Sequence, residues 1–186
     1  MELTKRQTEI IDAALRLTAE GGIQNLTIKN LAGALGITEP AIYRHFKNKS
    51  EIVKTMIGGF DNASAAGNGG HGFDAIAAFA RSRFEQVAAN PPLAKVMFAE
   101  ELFMDDREFS ELMLGMMHKH KNSLERHFIE AQNSGEIRND ISLDMLFRLV
   151  FGPVRLLVKQ WGISNGAFPL VEKGDELLEN LRKILR

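Results

Sequence analysis

LAGALGITEPAIYRHFKNKSEI, residues 31–52, is the stretch of sequence on which the fold depends. Gly36 ends a short amphipathic segment, because glycine adopts the left-handed backbone of helix ends at little cost. Thr38 is a suitable N-cap for the next segment, and Pro40 falls in its first turn, where a missing backbone N–H does no harm. The pattern therefore predicts two short helices joined by a tight glycine turn.

The second of these helices carries a polar and aromatic outer face. Ile42 and Phe46 are four residues apart and point inward, which leaves their neighbours at the surface. Two helices held at a fixed angle, the second with such a face, form a helix-turn-helix, whose second helix fits the DNA major groove. Spacing alone leaves two interpretations open: DNA binding, or the solvated face of an ordinary helical protein.

The exposed side chains have the chemistry that DNA contacts require. Arg44 can donate to guanine or phosphate, Glu39 can accept from a cytosine amino group, and Ala41 can contact a thymine methyl. Hydroxyl, imidazole and ammonium groups around them suit phosphate oxygens. The predicted DNA-binding residues are Thr27, Lys29, Thr38, Glu39, Pro40, Ala41, Tyr43, Arg44, His45, Lys47 and Lys49.

Composition limits the class of protein. The 186 residues are 45% hydrophobic and 25% charged, as in globular proteins. A net charge of −1 argues against indiscriminate binding to polyanions, although residues 1–56 hold eight Lys and Arg against six Asp and Glu. The absence of cysteine excludes disulfides, thiolate zinc sites and cysteine nucleophiles. With no membrane-spanning apolar run and no signal-peptide pattern, we expect a cytoplasmic protein.

Apolar residues recur at helical spacing almost throughout, without sustained alternation, which predicts an all-α protein. The Gly/Ala/Asn-rich passage 58–72 predicts a flexible connection between two domains. The first is a three-helix helix-turn-helix domain over 1–57, with a fourth helix that links to about residue 66, and the larger one covers 73–186. Beyond the connection, helices are predicted near 73–89, 93–103, 107–134, 142–162 and 170–185.

Several short motifs agree in register across the first domain. They are Thr27-Ile28, Leu31-Ala32, Leu35-Gly36, Ala41-Ile42-Tyr43, Phe46 and Lys49-Ser50-Glu51. In this register, residues 6–53 resemble the DNA-binding segment of TetR-type transcriptional regulators. Two positions depart from the family's pattern: Asn30 replaces an acid, which weakens the expected cap of the second helix, and Glu39 begins the recognition helix.

The resemblance implies a homodimer of all-α subunits that binds a palindromic operator in double-stranded DNA. By position, Lys29, Glu39, Pro40 and Tyr43 would approach bases, and Thr27, Ala41, Arg44, His45 and Lys49 would lie at or near the DNA backbone. The larger domain would bind a small, largely apolar effector and dimerise. The implied function is that of a ligand-responsive transcriptional regulator. We expect a repressor that the effector releases from DNA.

The larger domain is rich in methionine and phenylalanine: ten of the twelve phenylalanines lie beyond residue 70. Soft methionine side chains suit an adaptable apolar pocket, but such stripes at helical spacing also form ordinary cores. The pocket itself rests mainly on the family resemblance. The candidates are Phe79, Met97, Phe98, Met113, Met117, Phe147 and Phe151.

The last two predicted helices have wide apolar faces, as helices of a bundle do. Four such helices from two subunits would form a dimer interface, and Gly152 would allow a close approach there. The candidate interface residues are Val150, Val154, Leu157, Trp161, Leu177 and Leu181.

We expect neither a metal nor a cofactor, and no enzymatic activity. His118 and His120 are two residues apart and so point to opposite sides of a helix. Glu100-Glu101 and Asp105-Asp106 fit a solvated helix end better than a catalytic pair, since no nucleophile or base accompanies them. Two alternatives remain: a DNA-bound adaptor whose larger domain recruits a protein, and an all-α enzyme with no role on DNA.

Overall fold

The computed structural model describes residues 3–59, 70–96 and 107–186, and no strand occurs among them. The all-α prediction is confirmed. The predicted segment 97–103 and the connecting residues 60–69 lie outside the described residues. The helices are α1 (Lys5–Asn25), α2 (Ile28–Leu35), α3 (Glu39–Tyr43), α4 (Lys49–Gly59), α5 (Gly72–Ala89), α6 (Leu93–Val96), α7 (Arg107–Asn133), α8 (Leu143–Ile163) and α9 (Leu170–Leu185).

The chain divides into two compact units. The first contains residues 1–61 and 95–113, and the second contains residues 62–94 and 114–186. The division near residue 61 falls inside the Gly/Ala/Asn-rich passage. The first unit also takes in residues 95–113, which sequence patterns alone assigned to the larger domain.

α1 begins at a capping box. The backbone N–H of Gln7 donates to Oγ1 of Thr4 over 3.3 Å, and Oε1 of Gln7 accepts from the backbone N–H of Thr4 over 3.0 Å. This exchange satisfies donors that the first turn leaves without helical partners. The regular helix breaks at Gly21 and Gly22, as predicted; Gly22 adopts φ 70° and ψ −179°, a conformation that only glycine reaches readily.

The first unit is held by a small apolar core. α1 packs against α2 and α4, and α2 packs against α3. Gly36 ends α2 with φ 63°, and its N–H donates to the carbonyl groups of Ala32 and Gly33. The side chains that fill the core are fully or almost fully buried: Ile10, Ala14, Leu31, Ile42, Phe46, Ile52, Val53 and Met56.

In the second unit, α5, α8 and α9 pack against one another. α9 approaches α5 at Gly174, where an added Cβ would come within 2.2 Å of the Phe84 ring. Two ion pairs join the same helices: Arg81 with Asp175, at 2.5 Å, and Arg182 with Asp74. Glycine at position 174 therefore sets how closely the two helices approach.

Within the described residues, no helix is long and apolar enough to cross a membrane. The longest helices carry charged side chains on their outer faces.

Candidate functional site

α3 presents a short polar face supported by buried side chains on its other side. Ile42 is fully buried and Phe46 is 3% exposed, so both anchor the helix in the core of the first unit. Tyr43 is 51% exposed, and Glu39 and Arg44 are exposed beside it. A helix of this length is fixed by its anchors and not by its own hydrogen bonds, so the rigid core determines how this face is displayed.

The remaining predicted DNA-binding residues lie around this face or at the start of α2. Thr38 is the N-cap of α3, although its side chain makes no capping bond. Ala41, His45 and Lys49 are half-buried, whereas the others are exposed: Thr27, Lys29, Pro40 and Lys47.

Asn30 makes bonds that offset the weakened cap expected from the missing acid. Oγ1 of Thr27 accepts from the backbone N–H of Asn30 over 3.0 Å, so the N-cap forms. The Asn30 amide donates to the carbonyl of Asn25 over 2.9 Å and to its side-chain oxygen over 3.2 Å. The Asn25 amide donates in turn to the carbonyl of Leu17 over 3.0 Å. A short amide network thus joins α1 to α2.

Two longer-range hydrogen bonds fix the chain that follows the exposed face. The Gln7 amide donates to the carbonyl of His45 over 3.3 Å, which ties the end of α3 to α1. Nζ of Lys49 donates to the carbonyl of Ile23 over 3.2 Å, in a partly buried position. Lys49, predicted as a phosphate contact, therefore also holds the chain just beyond Gly22.

In the second unit, an aromatic cluster brings together three of the predicted pocket residues. The Phe79 and Phe151 rings meet edge to face at 5.6 Å, and Phe147 lies 4.7 Å from Phe151. His120 also packs edge-on against Phe79, at 5.3 Å. Met117 is half-buried in this unit, whereas Met113 is buried and belongs to the first unit, and Met97 and Phe98 lie outside the described residues.

Sequence patterns alone did not select Arg83, which lies beside this cluster. Its side chain is buried, with 3% of the residue exposed, and its guanidinium carbon is 4.5 Å from the centre of the Phe79 ring. Nη1 donates to Oε1 of Gln86 over 3.4 Å. The helical register of α5 is the signal that could have found it, because position 83 shares the inward face with Ile76, Phe79 and Ala80.

A surface groove of about 690 Å³ lies between α5 and α9. Phe73, Ala77 and Leu178 form its apolar part. Two of the guanidinium groups along it make bonds within the chain, Arg81 to Asp175 and Arg182 to Asp74. Lys183 and Arg186 also line the groove.

α8 carries an exposed apolar stripe, and it is not the set of residues predicted for the interface. Val150 and Val154 are fully buried within the chain and Leu181 is 8% exposed, so they supply core and little surface. Trp161 donates its indole N–H to the carbonyl of Phe168 over 2.9 Å, and Leu157 and Leu177 are half-buried. The large exposed apolar side chains of α8 are Met145, Leu149, Leu156 and Ile163, at 47%, 40%, 57% and 74%.

Two carboxylates hold the start of α5. Glu130 accepts from the backbone N–H of Gly72 over 3.2 Å, and Glu136 accepts from that of Phe73 over 3.2 Å. Nδ1 of the buried His127 lies 3.0 Å from the same Glu130 oxygen. The Gly72 hydrogen bond, and then that of His127, hold the pKa of Glu130 below its ordinary value, as expected for an anion at a helix N-terminus.

Two family models match the chain. Residues 10–56 match the bacterial regulatory proteins of the tetR family, and residues 64–183 match the C-terminal region of YsiA-like proteins. The first match ends just before the Gly/Ala/Asn-rich passage and the second begins inside it, and together they span most of the chain.

Individual relatives align over nearly the full length. The fatty acid metabolism regulator protein of Bacillus subtilis is 25% identical, over 93% of this chain and 92% of its own. The probable acrEF/envCD operon repressor of Escherichia coli is 22% identical, over 98% and 88%. The crystal structure of FadR from Bacillus subtilis with stearoyl-CoA has 24% identity and a TM-score of 0.80, over 96% and 99%. All three are named as regulators or repressors, and none as an enzyme or an adaptor.

Proposed function

Because this chain belongs to the TetR family of bacterial regulatory proteins, we propose that it is a transcriptional repressor released from a palindromic operator by a small effector. The first unit binds the operator, and the second dimerises and binds the effector. Binding of the effector favours a spacing of the two DNA-binding units that mismatches the operator. An effector has this result only through a difference in its affinity for the two states.

The observation that carries the DNA-binding part is the exposed face of α3. Tyr43 and Arg44 project from a helix whose other side is anchored by Ile42 and Phe46. A short helix with buried anchors and exposed donors is what major-groove recognition requires. The flanking groups Lys29 and Lys47 lie at the surface and suit phosphate contacts.

The test is a selection of bound duplexes from a random DNA pool at roughly physiological salt, where sequence-independent binding is weak. We expect an enriched palindrome with half-sites about one helical turn apart. Tyr43→Ala combined with Arg44→Ala should weaken binding to that palindrome about 10-fold or more, since the first change removes a proposed base contact, worth about 1–3 kcal/mol, and the second a proposed phosphate contact. Arg16→Ala, an exposed arginine on α1, is the matched control and should change affinity little. A selection without an enriched sequence would contradict the proposal.

We propose that two chains associate through the apolar stripe of α8. Met145, Leu149 and Leu156 recur on one face of the helix, and Gly152 between them has open space around its Cβ position. Isolated apolar groups at a surface are ordinary, but a continuous stripe is typical of an interface. Leu156→Glu should shift the chain toward monomer in sedimentation experiments, whereas Ile129→Glu, at an exposed apolar position on α7, should not.

The effector part of the proposal is supported by the aromatic cluster of Phe79, Phe147 and Phe151. Rings that meet edge to face provide a broad apolar surface for a ligand chain. The similar FadR structure contains stearoyl-CoA, a molecule with a long apolar chain, which favours an effector of the same general kind. Titration of candidate amphiphiles into the complex with the selected DNA would test it, with release of DNA as the expected result.

A further inference from the structure

We infer that Gln7 of α1 is a positioning residue for sequence recognition by α3, acting through the hydrogen bond from its side-chain amide to the carbonyl of His45. This role rests on the proposed binding of DNA by the first unit, and it adds a residue outside the DNA-binding face. No contact between Gln7 and DNA is required. The amide fixes where the chain at the end of α3 lies, and with it the exposed Tyr43 and Arg44 just before.

α3 is too short to hold its own position. It contains five residues, and a helix of that length is not stable through its own hydrogen bonds. The buried side chains of Ile42 and Phe46 hold one side of it, but apolar contacts are not directional. A hydrogen bond is directional. The partly buried bond from Gln7 to the His45 carbonyl therefore restricts small rotations and shifts that the apolar anchors leave open.

The capping box of α1 determines which atom Gln7 presents to α3. The backbone N–H of Thr4 can only donate, so the side-chain atom of Gln7 at 3.0 Å from it is the acceptor Oε1. The Thr4 hydroxyl donates to the same oxygen over 3.0 Å. The other atom of the amide is then Nε2, a donor, and it faces the His45 carbonyl at 3.3 Å. One side chain thus caps α1 and donates to the residue beyond α3.

Glutamine is the residue that can make both bonds. A capping box accepts glutamate as well at this position, and glutamate would also interact favourably with the helix dipole. α1 nevertheless has no acidic residue in its first turn. A carboxylate at position 7 would accept from Thr4, but it has no hydrogen to donate to the His45 carbonyl. Capping alone therefore does not account for glutamine, whereas the bond to α3 does.

The ratio of two operator affinities measures this role. Fluorescence anisotropy on the full chain gives the affinity for the selected palindrome and for the same duplex with one base pair changed in each half-site. For the wild-type chain we expect a ratio of about 10 or more, as mismatches in a specific site produce. A change in folded fraction, or in charge near the phosphates, alters both affinities alike, since phosphate contacts carry no sequence information. The ratio therefore reports base recognition.

Three variants separate the donor from the cap. Gln7→Glu keeps the acceptor and loses the donor, and its ratio should fall to about 3 or less, because one hydrogen bond shifts an equilibrium about 5-fold. Gln7→Lys keeps a donor and loses the acceptor, so it should retain a ratio close to that of wild type. Thr4→Ala removes the capping hydroxyl but leaves the Gln7 amide in place, and it should also retain the ratio. Urea unfolding shows that each variant is folded under the assay conditions.

Amide hydrogen exchange on the free chain provides a second measurement that needs no DNA. The Phe46 N–H donates to the carbonyl of Ile42 over 3.1 Å at the end of α3. It should exchange faster in Gln7→Glu than in Thr4→Ala, since only the first variant loosens this end of α3.

An unchanged affinity ratio in Gln7→Glu, or an equal fall in Thr4→Ala, would overturn the role of Gln7. Equal exchange of the Phe46 amide in the two variants would overturn it as well. The proposed function fails on a different result, a wild-type chain that prefers no palindrome. In that case the exchange rates still decide whether Gln7 holds α3.

Discussion

At the scale of single residues, Lys49 shows how a side chain near the DNA-binding face also supports the fold. Its ammonium group donates to the carbonyl of Ile23, and this bond joins the first residue of α4 to the end of α1, just beyond Gly22. Lys47, two residues earlier, is exposed, and its backbone N–H donates to Oε2 of Glu51 over 2.6 Å. The side chain of Lys49 therefore makes a structural hydrogen bond, whereas Lys47 contributes its backbone N–H and leaves its side chain exposed.

Lys49→Met should lower the free energy of unfolding by about 1 kcal/mol, the usual contribution of such a hydrogen bond, because the Ile23 carbonyl loses its donor. Lys47→Met should change it by less than about 0.5 kcal/mol, as expected for a surface substitution. Urea unfolding of the two variants at neutral pH measures the difference. Equal effects of the two substitutions would show that the bond contributes nothing.

The Glu130 carboxylate is a second residue whose effect can be isolated, through pH. Its pKa is lowered in the folded chain by the Gly72 N–H first and by His127 second, with Arg126 also attractive. A carboxylate with a depressed folded pKa contributes stability that is present above its unfolded pKa and is lost as pH falls through the folded value. His71 also lies 3.9 Å from the same oxygen.

Glu130→Gln should therefore destabilise the chain at pH 7, and the deficit relative to wild type should shrink as pH falls below the ordinary value of about 4.5. Urea unfolding at a series of pH values gives both curves. Glu125→Gln, an exposed carboxylate on the same helix, is the control and should run parallel to wild type. If the loss in free energy of unfolding caused by Glu130→Gln were independent of pH, the ionised Glu130 carboxylate would not be the source of this stability.

At the scale of helices, the approach of α9 to α5 depends on a residue without a side chain. Gly174 is buried against Phe84. Its neighbours Leu178 and Leu181 lie on the same buried face, four and seven residues on. The ion pairs from α5 to α9 lie beside this contact, so a change in helix spacing would disturb them as well.

Gly174→Ala should destabilise the chain by about 1–3 kcal/mol, since the methyl group overlaps the Phe84 ring in a packed core. Gly115→Ala is the matched control: it lies within α7, is exposed, and has nothing near its Cβ position. That substitution should stabilise the chain by up to about 1 kcal/mol through helix propensity. A stabilised Gly174→Ala would mean that α5 and α9 separate at little cost.

At the scale of the whole molecule, the proposed function couples operator binding by the first unit to effector binding by the second. If the effector lowers operator affinity by a certain factor, the operator must lower effector affinity by the same factor. For couplings of this kind the factor is about 5–150.

The effector dissociation constant should be measured with and without saturating operator, and the operator dissociation constant with and without saturating effector. The two ratios of dissociation constants should be equal. Both experiments use the same chain, so no variant is required. An effector that binds tightly and leaves operator affinity unchanged would contradict the repressor mechanism, although DNA binding would stand.

Local patterns determined much of the fold. The glycine break at Gly21 and Gly22, the cap at Thr27 and the turn at Gly36 lie where the sequence predicts them. These features were predictable because caps and turns depend on backbone conformation and on hydrogen bonds between residues a few positions apart. The same is true of the inward positions Ile42 and Phe46, whose spacing alone places them on one face.

What the sequence by itself determined, then, is the order and type of the helices, the exposed face of α3 and the family to which the chain belongs. Only the tertiary structure decided which apolar face stays exposed on α8, that Lys49 reaches Ile23, and that Arg83 is buried beside Phe79. The physical reason is that burial depends on what packs against a helix from distant parts of the chain, and helical periodicity identifies a face without naming its partner.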